Sequence, residues 1–157
     1  MGYRRRSREL AMQALFFMDS NQSLNEEMVG VYCRNFPPPK KLLPFFLDLV
    51  NGVLRSKSQI DSIIERFSNN WKLNRMSCVD RNVIRIAVYE MFFRADIPPK
   101  VSINEAIDVG KKYGTRDSGS FINGILDSIR NFMEDQAADQ AFMKTAGDLN
   151  TEQGGSF

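Results

Sequence analysis

The stretch Cys78–Arg94, CVDRNVIRIAVYEMFFR, limits what this chain can fold into more than any other. Val79, Val83, Ile86 and Ala87 recur at helical spacing, and Ile84, Val88, Met91, Phe92 and Phe93 widen the stripe. A helix apolar over most of its circumference has to be covered on several sides, which puts it at the centre of a helical domain. Ser77 can cap its start, Asp80 suits the positive end of its dipole, and Glu90 with Arg94 has the spacing of an i,i+4 ion pair. Pro98 and Pro99 stop it, since each lacks an N–H and restricts its predecessor.

The 157 residues suffice for one domain with its own core. No apolar run approaches the roughly 20 residues of a membrane span, and the arginine-rich start is unlike a signal peptide. A cytoplasmic protein without membrane association is expected. The absence of histidine removes Ser-His-Asp and Cys-His catalysis and most zinc sites, and no glycine-rich phosphate loop occurs. Cys33 and Cys78 have no C-x-x-C spacing and read as buried thiols. No metal, no cofactor and no catalysis are expected. The net charge of only +2 means that any nucleic-acid contact must come from a local cluster.

That cluster opens the chain. Arg4, Arg5, Arg6 and Arg8 run into Glu9–Met18, where Leu10, Ala11, Ala14, Leu15 and Met18 form an amphipathic stripe. Four cations at a helix start oppose the macrodipole. Either they form a solvated, frayed terminus, or they are an arm whose fork-shaped donors grip phosphates.

Glu26–Arg34 reads as a short helix, and Phe36-Pro37-Pro38-Pro39 as a stiff linker or a polyproline ligand. Lys40–Arg55 and Ser58–Phe67 return to helical spacing, and Trp71 beyond them reads as a core plug in preference to a base-stacking platform. Ser102 and Glu105 have the spacing of a capping box for a helix ending at Tyr113, with Gly114 as its stop. A polar turn, 115–120, leads to a last strong helix, Phe121–Met133, in which Gly124 suits close packing. With no convincing period-2 segment the chain reads as all-α, and Gly147–Phe157 as disordered.

Several blocks together resemble the bacterial NusB family. They are Arg4–Ala11 with Gln13-Ala14-Leu15, Val79-Asp80-Arg81 with Ile84–Ala87 and Tyr89-Glu90, and Ile97-Pro98. Ile103–Ala106, Lys111–Gly114 and Phe121–Asp127 complete the set, in the right order over about residues 4–130. Residues 24–57 match only as helical pattern, and the tail after Asp135 has no counterpart.

The resemblance implies an all-α NusB-like domain at 1–135 made of two small helical bundles, about 3–70 and 71–135, with a flexible tail at 136–157. It implies transcription antitermination in ribosomal-RNA synthesis, through binding of single-stranded boxA RNA jointly with NusE, a small-subunit ribosomal protein. The complex would join RNA polymerase with other Nus factors. The family's RNA contacts map to Arg4, Arg5, Arg6, Arg8, Asp117, Ser118, Ser120 and Phe121. Ser120 stands where some relatives carry lysine, which puts one basic contact in question. The partner contacts map to Asp80 and to Phe16 or Phe17. Arg85 and Tyr89 either satisfy buried carbonyls or line the same interface. Two other readings remain: an RNA-binding module of a ribosomal-RNA-modifying system, and a helical scaffold that self-associates as a homodimer.

Overall fold

The computed structural model describes residues 2–69 and 71–153, with side chains as far as Gly147. Its helices are α1 (Tyr3–Ser20), α2 (Glu27–Asn35), α3 (Leu43–Arg55), α4 (Lys57–Phe67), α5 (Cys78–Phe93), α6 (Pro99–Tyr113) and α7 (Ser118–Gln153). A short 3-10 turn, Leu73–Arg75, precedes α5, and no strand occurs among the described residues. None of the helices is long and apolar enough to cross a membrane.

The central position of α5 follows from its composition. Every residue from Asn82 to Met91 is buried, and α1, α3, α4, α6 and α7 all pack on it. Burying a Val, Leu or Ile side chain contributes about 1.5–3 kcal/mol, so a helix apolar all round gathers neighbours on every side. Ser77 caps α5 as its spacing predicts, its Oγ accepting from the Asp80 backbone N at 3.1 Å. Close approach is needed at Gly52 and Gly110, where a β-carbon would run into the Tyr89 ring and the Ile122 side chain.

The polar residues of α5 act as internal fasteners. Arg85 donates to Asp61 Oδ1 on α4 at 2.9 Å and to Asp19 Oδ2 on α1 at 3.0 Å, while Tyr89 donates to Asp48 on α3 at 2.8 Å. Asp19 also receives Arg81 at 2.7 Å and Asn82 at 2.9 Å. Burial alone would raise the Asp19 pKa, but the hydrogen bonds from Arg81 and Asn82 and the Arg85 charge outweigh it and hold the carboxyl below its ordinary range. A depressed carboxyl stabilises the fold fully above its unfolded pKa of about 4 and loses that contribution as pH falls through the folded value. The gap in thermal midpoint between wild type and Asp19→Asn should therefore be open at pH 7 and close progressively below about pH 4. Melting curves at pH 7, 5, 4 and 3 check this; a constant gap would remove Asp19 from the acid response.

Several local expectations are overturned. Glu90 and Arg94 do not pair: Glu90 turns inward to Arg8, and Arg94 goes to Asp48 and Asp96. The helix after Pro98 starts at Pro99, so Ser102 lies inside α6 and donates to Glu90 instead of capping. Gly124 faces open space on the exposed side of α7. Cys33 and Cys78 are half-buried free thiols.

The last helix does not stop near Met133. Residues 134–146 hold no proline or glycine and are rich in Ala, so α7 continues as a helix to Gln153, exposed from Glu134 to Gly147. Helix thus occupies most of 136–157, including residues 147–153 where disorder is expected, while residues 154–157 lie outside the described residues.

Candidate nucleic-acid interface

Arg4, Arg5, Arg6 and Arg8 all lie in the first two turns of α1, which has no side-chain cap and no acid in its first turn. Helical spacing sends these side chains in different directions. Arg8 shares a face with Ala11, Met12 and Leu15 and is only 5% exposed. Its guanidinium clasps Glu90 on α5, Nη2 to Oε1 at 2.6 Å and Nε to Oε2 at 3.0 Å. Arg8, expected at the RNA surface, thus pins α1 to α5 from inside the core of the free protein.

The other three lie nearer the surface. Arg5 reaches α6, with Nε 2.8 Å from Glu105 Oε2 and Nη2 2.7 Å from Asp108 Oδ2. Arg6 donates to Glu9 at 2.7 Å and touches the Tyr113 hydroxyl at 3.4 Å. Lys112 meets the same Glu9 at 2.9 Å. Burial by itself would raise the Glu9 pKa; hydrogen bonds from Lys112, Arg6 and Tyr113 bring it below the ordinary value instead. Arg4 is exposed, 3.6 Å from Asp96, with its guanidinium 5.1 Å from the centre of the Phe45 ring. Arg5 and Arg6 are therefore largely neutralised in the free protein, while half-exposed enough to exchange partners.

Through Tyr113 the arm adjoins the turn between α6 and α7. Asp117 and Ser120 are exposed there, and Phe121 is half-buried. Ser118 is fully buried, and its Oγ accepts from the Thr115 backbone N at 2.9 Å, so it builds the turn instead of meeting a ligand. Gly114 permits this closure, because a β-carbon would collide with the Ser118 hydroxyl.

Trp71, expected in the core, is 53% exposed and lies edge-on to Phe121 with ring centres 6.3 Å apart. The reversal at Asn69, whose φ is 48°, and the hydrogen bond from Ser68 Oγ to the Trp71 carbonyl at 2.6 Å turn the indole outward. Of the acids that hold the arm, Glu105 stands out in the sequence only through its capping-box spacing with Ser102, and Asp108 carries no signal there.

The residues expected to meet a protein partner are Phe16, Phe17 and Asp80. Phe16 and Phe17 are exposed on α1, and the Cys78 thiol lies 3.8 Å from the Phe16 carbonyl, which sets that patch beside the start of α5. Asp80 is buried in the first turn of α5, and its Oδ1 has no hydrogen-bond partner.

Residues 5–131 match the NusB family. The chain is 58% identical over 129 residues to the transcription antitermination protein NusB of Desulfatibacillum aliphaticivorans, covering 82% of this chain and 90% of the relative. It is 50% identical over 132 residues to the protein of the same description from Desulforapulum autotrophicum, covering 83% and 92%. Among solved structures, T. maritima NusB superposes with a TM-score of 0.70 at 40% identity, covering 80% of this chain and 89% of that one. A structure of the antitermination factors NusB and NusE in complex with double-stranded RNA gives a TM-score of 0.69 at 29% identity, covering 81% and 95%.

Proposed function

Because this chain belongs to the NusB family, we propose that it is a cytoplasmic transcription antitermination factor that binds single-stranded boxA RNA together with NusE. The complex would then join RNA polymerase and other Nus factors during ribosomal-RNA synthesis. The observation that carries the RNA reading is the meeting of Arg6 with Tyr113, 3.4 Å apart, where the arginine arm reaches the turn before α7. Arg4, Arg5 and Arg6 supply exchangeable phosphate donors, and Phe121 with Trp71 supplies rings on which unpaired bases stack. Asp117, exposed at the turn, accepts from a base N–H, and Ser120 offers a neutral hydroxyl.

NusE is assigned to the surface at Phe16 and Phe17 beside the start of α5, in whose first turn Asp80 compensates the helix dipole. Two nearby exposed aromatic side chains are a common anchor for a protein interface. The protein is read as a binding module that performs no chemistry on the RNA.

Titrating a boxA-like RNA into the protein, with and without NusE and at several salt concentrations, tests this. Binding is expected to fall steeply with salt and to tighten at least about tenfold when NusE is present. No binding at low salt even with NusE would refute the reading.

A further inference from the structure

Most cations of the arm already face carboxylates, but an adjoining strip carries cations that face none among the described residues. The linker Phe36–Pro39 folds back along the start of α1, leaving two grooves of about 450 and 500 Å³ that meet at Arg6 and Pro39, which line both. Neither groove is lined by an Asp or Glu. Lys40 and Lys41 at its edge make no ion pair among the described residues. Tyr3 is 62% exposed and Phe36 56% exposed. Lys41 Nζ lies 5.7 Å from the centre of the Tyr3 ring, and Phe36 is braced by Phe17 and Tyr32 with ring centres 6.1 and 5.2 Å away. Three consecutive prolines hold Phe36 and the two lysines in place with little backbone freedom left to lose.

Exposed rings alternating with uncompensated cations suit a polymer that offers a flat apolar face and a negative charge at each unit, which is a single-stranded nucleic acid. An acidic peptide would use the lysines and leave both rings idle. Arg6 joins this strip to the arm, for it touches Tyr113 on one side and lines both grooves on the other. We propose that the strip of Tyr3, Phe36, Lys40 and Lys41 is a second RNA subsite that holds nucleotides flanking the segment gripped at the arm. It rests on the RNA reading proposed for the arm.

The test compares three RNAs on the full-length protein: a boxA-like core, the same core with about six unstructured nucleotides added 5′, and the same with six added 3′. One extension should bind about tenfold tighter than the core, with a salt slope steeper by about two. Lys40→Ala with Lys41→Ala, and separately Phe36→Leu, should each reduce that gain while leaving core affinity and thermal midpoint unchanged. A core that binds with no gain from either extension overturns the subsite alone, as does a gain that survives both variants. A poly-glutamate peptide that competes for the extension as strongly as RNA does would overturn it in favour of an acidic-protein site. A core that does not bind at all overturns the arm reading, and the subsite with it.

Discussion

Replacing Arg8 by alanine should lower the thermal midpoint by about 10 °C, the largest stability effect expected of any arginine in the arm. The side chain and its partner Glu90 are both almost completely buried, and removing one leaves the other charge in a medium of low polarity. Breaking such a pair costs about 3–5 kcal/mol, and a domain of this size loses roughly 2–4 °C per kcal/mol. The pair need not be stabilising in itself. Replacing both members, Arg8→Met with Glu90→Leu, should recover most of the loss, because burying two apolar groups avoids the desolvation that two charges suffer. Recovery stays incomplete because Ser102, which donates to Glu90 at 3.2 Å, loses its acceptor. Calorimetry or far-ultraviolet melting reads both variants; an Arg8→Ala midpoint within about 2 °C of wild type would contradict the core assignment. Any RNA-binding defect of Arg8→Ala should accordingly come with lost stability, and should be largely repaired in the double variant.

The second large effect concerns RNA and leaves the fold in place. Changing Arg4, Arg5 and Arg6 together to alanine should weaken boxA-like RNA at least about 100-fold and flatten the salt slope by up to about three. The midpoint should fall less than in Arg8→Ala, because the exposed pairs of Arg4 with Asp96 and of Arg5 with Asp108 are worth at most about 1 kcal/mol each, and the buried Glu9 keeps Lys112 and Tyr113 when Arg6 is removed. Undiminished affinity would take the arm out of the mechanism. The carboxylates give the reciprocal experiment. Glu105 and Asp108 occupy the guanidinium of Arg5, so RNA phosphate has to displace them. Glu105→Gln with Asp108→Asn should raise affinity several-fold, by about the worth of the exposed pairs they remove. A fall in affinity would instead mean that the acids aim Arg5 at the RNA.

The arm shows how far residue type alone can be read. Four arginines near one helix start are visible in the sequence, and so is the electrostatic cost of putting them there. Their division of labour is not visible there, since all four read as one cluster and Arg4 shares a helix face with Arg8 and Ala11. That a carboxylate would be waiting under Arg8 could not be read, because Glu90 lies 82 residues away. Trp71 failed for a related reason: a large apolar ring is more often inside, but the reversal at Asn69 points it outward.

By itself the sequence determined the all-helical class, the central place of α5, the cap at Ser77 and the family. All of these depend on short-range spacing or on the order of local blocks along the chain. Tertiary structure alone decided which charges are free. Glu105 and Asp108 engage Arg5, Glu9 engages Arg6 and Lys112, and among the described residues Lys40 and Lys41 are left without acids. The physical reason is that periodicity assigns a side chain to a face of its own helix, whereas its electrostatic partner is set by how helices distant in sequence cross.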